Sequence, residues 1–278
     1  MAGADFAEFR ERYGQWAIVA GASEGVGASA ADLLAKRGLN VLLVAREADR
    51  LQKFADDVRR RHGVEVQALS QDLTAPDAAH RIVEAIAGRE LGMLFYNAGA
   101  VRNGDLFLTQ PFELPMRMIQ LNCTTPTALI HMLAPAMVER GRGGIVVVGS
   151  LAAMCGAPHI AAYSAAKAFQ VNLMEGLWAE IHDKGVDVLE ALIGSTSTPG
   201  RARGLGVTFN PEVDMTPEDV AADIIENIVS GPTRIVAKVG TAGTGPLVKP
   251  WTEFRHVAVN HMIGAVSEFN KRTKPADS

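Results

Sequence analysis

The chain has few cysteines, few aromatic residues and no large excess of either charge. Only two cysteines occur in 278 residues, which excludes a disulfide framework and favours a reducing compartment. Aromatic residues make up 6%, and 27 Lys plus Arg stand against 31 Asp plus Glu, a net charge of −4. This balance produces no field that attracts nucleic acid or an anionic membrane, so we expect neither as a partner.

Long hydrophobic runs are also missing. The segment from Met1 to Gln15 is rich in charged side chains and lacks the apolar core of a signal peptide. A later apolar run, Gly144 to Pro158, is too short to span a bilayer. With 48% apolar and 21% charged residues, the composition is typical of a globular protein with a sizeable core. The sequence therefore predicts a cytoplasmic protein without a membrane span.

Short apolar runs alternate with stretches in which apolar residues recur at helical spacing, a rhythm that indicates βαβ units. Strands this apolar are buried on both faces, which predicts a doubly wound α/β fold with a parallel sheet and helices on each side. We expect one Rossmann-type domain over residues 1–240 and a C-terminal linker with a helical extension over residues 241–278. The predicted strands are Trp16–Ala20, Asn40–Ala45, Val64–Leu69, Leu91–Tyr96, Ile145–Gly149, Val186–Ile193 and Arg234–Ala237.

A glycine-rich turn follows the first predicted strand. Gly21, Gly25 and Gly27 have the spacing G-x-x-x-G-x-G between a strand and a helix. Glycines here let the backbone approach a pyrophosphate, whose charge the free N–H groups of the helix start stabilise. The pattern also fits an ordinary tight strand-to-helix turn. If the turn binds a dinucleotide, its contributing residues are Gly21, Ser23, Glu24, Gly25, Val26 and Gly27.

Tyr163 and Lys167 are four residues apart and so share one face of a predicted helix. An ammonium nearby, together with an oxidised nicotinamide, lowers the pKa of a phenol and makes it a useful general acid and base. Ser150 follows the fifth predicted strand, and its hydroxyl can reach the same substrate oxygen from there. The plainer interpretation is a surface tyrosine and a solvated lysine. Asn97 and Asn122 join this group unless they are ordinary loop and capping amides.

Taken in order, these motifs resemble those of the short-chain dehydrogenase/reductase family from Trp16 to about Lys238. The resemblance rests on the glycine turn, Asp72, Asn97-Ala98-Gly99, Ser150 with Tyr163-x-x-x-Lys167, and Thr198. Within the family, the chain most resembles bacterial NADP-dependent hydroxysteroid dehydrogenases. This resemblance rests on Tyr13-Gly14-Gln15-Trp16, the glycine turn and residues 192–199. Eukaryotic steroid and 3-oxoacyl reductases begin in a similar way.

The resemblance implies a role for each matching residue. Tyr163 is then the catalytic acid/base, Ser150 polarises the substrate oxygen, and Lys167 binds the nicotinamide ribose and tunes Tyr163. Asn122 holds a proton-relay water, and Asp72 contacts the adenine side. The remaining cofactor contacts are Leu73, Asn97, Ala98, Gly99, Gly194, Thr196 and Thr198.

The chain departs from the family pattern at three places. Ala20 stands where a threonine usually ties the glycine turn to the neighbouring strand. Ile193 replaces a proline before Gly194, and Tyr96 replaces a common asparagine. None of these changes removes a catalytic group.

The end of the second strand indicates which nicotinamide cofactor is used. An NAD enzyme of this fold places an acid there for the ribose 2′-OH, whereas an NADP enzyme supplies arginine. Ala45 and Arg46 stand at this point, with Arg50 one helical turn later as a second cation. Glu47 would repel a phosphate only by turning inward. The sequence therefore predicts NADP(H).

The segment between Ser150 and Tyr163 is apolar and predicts one wall of a substrate site, with Met154 and His159 as candidate contacts. We predict interconversion of a secondary alcohol and a ketone on a steroid-like or other bulky apolar small molecule. One alternative is reduction of a 3-oxoacyl thioester, whose acidic carrier would contact Arg201 and Arg203. The other is a catalytically silent NADP-binding sensor, although Ser150, Tyr163 and Lys167 are all present.

Three further expectations concern the surroundings of the site. Residues 198–215 hold glycines and prolines and predict a mobile lid. Helical stretches at 112–139 and 160–183 resemble those through which the family assembles, and indicate a homodimer or homotetramer. The seven histidines lack metal-ligand spacing, so no metal site is predicted.

Overall fold

The computed structural model describes residues 2–99, 106–205, 208–238, 251 and 253–260. Its strands are β1 (Trp16–Ala20), β2 (Asn40–Ala45), β3 (Val66–Ser70), β4 (Leu91–Tyr96), β5 (Gly143–Ser150), β6 (Val186–Ile193) and β7 (Thr233–Val236). They pair in parallel in a single sheet of order β3-β2-β1-β4-β5-β6-β7. This arrangement confirms the predicted doubly wound α/β fold. Its strand order reverses direction at β1, where a ligand crevice is expected.

Helices cover both faces of the sheet. They are α1 (Ala2–Tyr13), α2 (Gly25–Lys36), α3 (Ala48–His62), α4 (Ala78–Ile86), α5 (Glu113–Ile119), α6 (Thr125–Arg140), α7 (Ala161–Ile181), α8 (Pro199–Leu205) and α9 (Pro217–Glu226). Alternate residues of β1 face opposite sides, so Val19 packs with α2, α3 and α9, whereas Ile18 packs with α4, α6 and α7. The central strands β1 and β4 are therefore buried on both faces, whereas the edge strands β3 and β7 are only partly buried, because each has a neighbouring strand on one side alone.

Two strands have different ends from the predicted ones, because the apolar run and the backbone-paired residues do not coincide there. β3 runs from Val66 to Ser70 because it pairs with β2 from Val41↔Val66 to Ala45↔Ser70. β5 begins two residues before the predicted Ile145, since Gly143 pairs with Val186. Backbone pairing, which the side-chain pattern only approximates, sets these ends.

The long helical stretch predicted at 112–139 is interrupted. A π-helical turn, Gln120–Thr124, separates α5 from α6 and contains the buried Asn122. Such wide turns are frequent at functional sites, because the extra residue alters which side chain faces inward. Periodicity alone does not reveal the insertion.

The first and last helical segments of the described residues both contact the rest of the domain. Helix α1 was not predicted from the sequence. Its Tyr13 donates to Asp187 across 2.8 Å, and Nε of Arg12 lies 2.7 Å from the same carboxylate. Near the other end, residues 253–260 are helical, and Nε of Arg255 donates to Glu175 across 3.1 Å. The predicted boundary at 240/241 lies outside the described residues and stays a prediction.

None of the helices in the described ranges has both the length and the apolar character needed to cross a bilayer.

Candidate active site

The glycine turn lies at the carboxyl end of β1, where it leads into α2. Gly21 adopts a left-handed φ of +85°, and its N–H donates to the Val44 carbonyl across 2.8 Å. A Cβ on Gly27 would overlap the Gly21 carbonyl oxygen and lie 2.8 Å from Nδ2 of Asn97. Glu24 does not cap α2 with its side chain. The first N–H groups of α2 therefore point toward the crevice without a side-chain cap, which suits an anion.

Two segments from other strands pack directly on this turn. Nδ2 of Asn97 donates to the Gly21 carbonyl across 3.1 Å, and the Ala98 backbone lies 3.0 Å from a Cβ built on Gly21. On the other side, Cγ2 of Thr198 lies 3.0 Å from a Cβ built on Gly25. The predicted cofactor residues after β1, β4 and β6 are thus brought together.

Ser150, Tyr163 and Lys167 also meet. The Ser150 hydroxyl lies beside the Tyr163 phenol, whose pKa it lowers, and accepts from the Ala152 N–H across 3.2 Å. Nζ of Lys167 lies 5.8 Å from the centroid of the Tyr163 ring. These contacts need β5 to end at Ser150 and α7 to place Tyr163 and Lys167 one turn apart on its inner face.

The pKa of Tyr163 is raised, not lowered. Burial of the phenol is the largest cause, and the charge of Glu190 adds to it, while the hydrogen bond from Ser150 opposes both. The lowering of this pKa predicted from Lys167 is therefore not produced by the protein groups alone. Lys167 directs its ammonium elsewhere, toward neutral oxygens.

Lys167 is fully buried, and its Nζ donates to the Val148 carbonyl and to Oε1 of Gln170, each across 2.9 Å. Nε2 of Gln170 in turn donates to the Asn122 carbonyl across 2.8 Å. Gln170 thus bridges Lys167 and Asn122 directly. Oδ1 of Asn122 is buried and has no hydrogen-bond partner among the described residues. This oxygen and Nζ of Lys167 each lie 3.0 Å from a Cβ built on Gly99.

The residues predicted to contact the adenine side of the cofactor follow β3. Asp72 accepts from the N–H and hydroxyl of Thr74, each across 2.9 Å. Burial opposes ionisation of Asp72, but these bonds and the charges of Arg117 and Arg46 lower its pKa overall. Leu73 is buried, and its carbonyl accepts from the Thr125 hydroxyl across 2.8 Å.

The two arginines predicted for a 2′-phosphate differ in their surroundings. Arg46 is exposed directly after β2. Arg50 lies 3.0 Å from carboxylate oxygens of both Glu24 and Glu47. The expectation that Arg50 offers a second cation is weakened, because two carboxylates already balance its charge. Glu47 is exposed, as expected of a residue that caps α3.

The segment after β6 holds the other predicted cofactor residues. The Gly194 N–H donates to the Val236 carbonyl across 2.9 Å, and Thr196 donates to the Gly194 carbonyl across 3.2 Å. Thr196 is buried and forms a β-bridge with Met215. This local pairing holds the strand exit in place although Ile193 replaces the usual proline.

The predicted substrate wall is only partly an open surface. Met154 is half-buried, and His159 is exposed in a loop with a left-handed φ of +65°. Ala153 turns inward and packs with Val171 and Leu192. The wall predicted from apolar sequence therefore loses Ala153, because that side chain belongs to the core.

The predicted lid is anchored by one buried carboxylate. Within residues 198–215, Pro199–Leu205 form the short helix α8. Asp214 accepts from the Ser195 hydroxyl, from Nη1 of Arg201 across 2.9 Å and from the Asn210 N–H across 2.8 Å. These contacts tie α8 and the following loop to the exit of β6.

Sequence reasoning missed three polar residues that organise this region. Gln170 and Glu190 are fully buried, and Asp214 is nearly so. A signal existed for two of them, because Gln170 lies on the inner face of an apolar helix and Glu190 interrupts a strand predicted to be buried on both sides. Asp214 has no such signal, since it lies in a polar loop.

These features define a doubly wound enzyme with a crevice for a dinucleotide. A nicotinamide dinucleotide fits the uncapped start of α2, the close-packed glycines and the Asn122 amide oxygen that has no hydrogen-bond partner among the described residues. Residues 15–204 match the family model described as short chain dehydrogenase. The chain belongs to this family and is an oxidoreductase that acts on alcohols and ketones.

Individual relatives sharpen the comparison. The chain is 35% identical to a 7beta-hydroxysteroid dehydrogenase of Clostridium sardiniense over 223 residues, 79% of this chain and 84% of that protein. A solved structure concerning 7beta-hydroxysteroid dehydrogenase stereoselectivity is 27% identical, with a TM-score of 0.76 over 82% of this chain and 90% of that one. A short-chain dehydrogenase from Sphingobium yanoikuyae in complex with NADPH is 28% identical, with a TM-score of 0.74 over 95% and 98% of the two chains.

Proposed function

We propose that the protein is an NADP(H)-dependent dehydrogenase that interconverts a secondary alcohol and a ketone on a hydroxysteroid-like or other bulky apolar substrate. The placement of the Ser150 hydroxyl beside the Tyr163 phenol, with Lys167 one helical turn away, carries this proposal. It places a proton donor and an oxygen-binding hydroxyl side by side, the arrangement that carbonyl reduction requires.

Each side chain has a defined task in the proposed reaction. Tyr163 gives its phenolic proton to the substrate oxygen during reduction and takes it back during oxidation. Ser150 donates a hydrogen bond to that oxygen and stabilises its developing charge. Lys167 holds the ribose of the cofactor, and Asn122 with Gln170 fixes the position of Lys167. The bound nicotinamide supplies or accepts the hydride.

Two observations support NADP(H) and a bulky apolar substrate. Arg46 is exposed at the end of β2, where no acid faces the ribose, and the solved relative from Sphingobium yanoikuyae is in complex with NADPH. The relative from Clostridium sardiniense is a 7beta-hydroxysteroid dehydrogenase. By contrast, the carrier-binding alternative has lost support, because Asp214 holds Arg201.

We further propose that the chain assembles as a homodimer or homotetramer through its outer helices. An apolar groove of about 1120 Å³ lies between α5, α6 and the outer face of α7. Phe112 and Phe169, which line it, are exposed in the single chain. Ala165 and Phe169 lie on the opposite side of α7 from Tyr163 and Lys167, so assembly would leave the catalytic face open.

A steady-state screen tests the proposed function. NADPH and NADH are each offered with oxo-steroids, 3-oxoacyl thioesters and aryl ketones, and the corresponding alcohols are offered with NADP⁺ and NAD⁺. We expect the highest kcat/KM with an oxo- or hydroxysteroid and the phosphorylated cofactor. Preference for a thioester would favour the carrier alternative, and absence of turnover with cofactor still bound would favour the silent sensor.

A further inference from the structure

Glu190 is a buried acid that none of the proposed catalytic steps uses. It lies in the middle of β6, where it pairs in register with Val147 of β5 and Thr233 of β7. Its exposed fraction is 0%, and neither carboxylate oxygen has a hydrogen-bond partner among the described residues. Burying an unpaired carboxyl is costly, so its presence needs an explanation.

The head of Glu190 lies against Gly149, the residue before Ser150. A Cβ on Gly149 would overlap Oε1 of Glu190 and would lie 2.8 Å from Cδ2 of Leu192. Glycine at this position therefore makes room for the carboxyl beneath the active site. The same stretch of β5 receives Lys167, whose Nζ donates to the carbonyl of Val148.

Lys167 has no carboxylate in direct contact within the described part of the chain. Its partners are the neutral oxygens of Val148 and Gln170. Burial lowers the pKa of Lys167, whereas the charge of Glu190 raises it. Conversely, burial raises the pKa of Glu190, and the charge of Lys167 lowers it. Each group therefore favours the charged form of the other.

Other ionisable groups also act on this pair. Glu175, about two helical turns further along α7, accepts from Arg255 and from the Thr233 hydroxyl, and its charge raises the pKa of Glu190. Cys123 faces Lys167 from the π-helical turn, but burial raises the pKa of its thiol. The negative charge of Glu190 raises the pKa of Tyr163, because it disfavours the phenolate.

We propose that Glu190 is a positioning residue that keeps Lys167 protonated as the pH rises. When the pair loses its first proton, the carboxyl of Glu190 releases it, and the resulting carboxylate stabilises the ammonium of Lys167. Lys167 then keeps its charge, and with it its hold on the cofactor ribose, at a pH where an isolated buried lysine would be neutral. This inference rests on the proposed function, in which Lys167 binds the cofactor.

Glu190→Gln tests the proposal by removing the charge and keeping the shape. The dissociation constant of NADPH, followed by its fluorescence, and kcat/KM for ketone reduction are measured as functions of pH. We expect the alkaline inflection of both profiles to move to lower pH by roughly 1 to 3 units, because Lys167 loses its compensating charge. Profiles that superimpose on those of the wild type would overturn the proposal.

Glu175→Gln is the matched control, because it removes a buried acid from the same region that Arg255 already balances. It should leave the alkaline inflection close to the wild-type position even if it lowers stability. An equal shift in both variants would contradict a specific role for Glu190. Lys167→Met provides a second check, since Glu190→Gln should add no further shift in that background.

An infrared titration of the wild-type protein tests the proposal without depending on the folding of a variant. A carboxylic acid carbonyl band should persist at about pH 7, where exposed glutamates are ionised, and should disappear at more alkaline pH. Persistence of this band at alkaline pH would overturn the proposal, because Glu190 would then supply no charge to Lys167. The band reports on Glu190 without turnover, so a wild type that reduces no ketone would refute the proposed function separately.

Discussion

Nη1 of Arg50 lies 3.0 Å from Oε2 of Glu24 and so joins the first turn of α3 to the glycine turn. A second carboxylate, that of Glu47, lies 3.0 Å from Nη2 of the same arginine. Arg46, four residues earlier, is exposed at the crevice edge. The charge available to a 2′-phosphate therefore resides mainly on Arg46.

Arg46→Ala should reduce the preference for NADP over NAD by about 10- to 150-fold in kcat/KM. A charge-assisted hydrogen bond is worth roughly 1.5 to 3 kcal/mol, which converts to that range. Arg50→Ala is the control and should change the preference by less than about tenfold, because Glu24 and Glu47 already balance its charge. Ala45→Asp with Arg46→Ile should reverse the preference. A wild-type protein with the higher kcat/KM for NAD⁺ would show the inference to be wrong.

Tyr163→Phe should abolish nearly all turnover while leaving the fold and the cofactor affinity intact. The change deletes the transferable proton and little else, and general acid/base catalysis contributes about 10²- to 10⁴-fold. The loss should appear in kcat, measured under saturating substrate, with circular dichroism and NADPH binding as controls. Retention of more than about a tenth of wild-type kcat/KM would rule out Tyr163 as the acid/base.

Asp214→Asn should loosen residues 208–215, which belong to the predicted lid. Its carboxylate holds Ser195, Arg201 and the Asn210 N–H, and loss of one charge-assisted bond costs about 1.5 to 3 kcal/mol. Amide exchange within residues 208–215 should become about 10- to 150-fold faster. Asp223→Asn, which breaks the ion pair with Arg234 beside β7, is the control and should leave this segment unchanged.

The same carboxylate predicts how the segment responds to pH. Burial favours the neutral acid, but the bonds from Ser195, Asn210 and Arg201 lower the pKa of Asp214 overall. Because the pKa of Asp214 is lower in the folded state, its carboxylate contributes fully to stability above the pKa of the unfolded chain, about 3.9. This contribution is lost as the pH falls through the pKa of the folded state. Exchange corrected for its intrinsic rate should therefore stay constant from about pH 5 to 8. Loosening within that window would contradict the assignment.

Phe169→Glu should convert the proposed assembly into monomers. The ring is 43% exposed in the single chain and lines the apolar groove, where a second copy would desolvate the introduced carboxylate. Sedimentation velocity should report the smaller species, whereas Lys184→Glu, beyond the end of α7, should keep the wild-type assembly. A monomeric wild type would refute the assembly proposal without affecting the catalytic one.

Sequence alone determined the order of the strands, most of the helices between them and the identity of the central motifs. Alternating apolar runs predict buried parallel strands because a strand covered on both faces has no polar side. The four-residue spacing of Tyr163 and Lys167 puts them on one helical face wherever the helix lies. These inferences depend on backbone geometry within a few residues, which the local sequence fixes.

Tertiary structure decided which partners the charged side chains take. Lys167 turns to Val148 and Gln170, Arg50 is held by Glu24, and Glu190 lies unpaired beneath Gly149. Each relationship depends on contacts between different strands and helices and on the loss of water from the interior. Desolvation and packing are properties of the assembled fold, so no local pattern in the sequence specifies them.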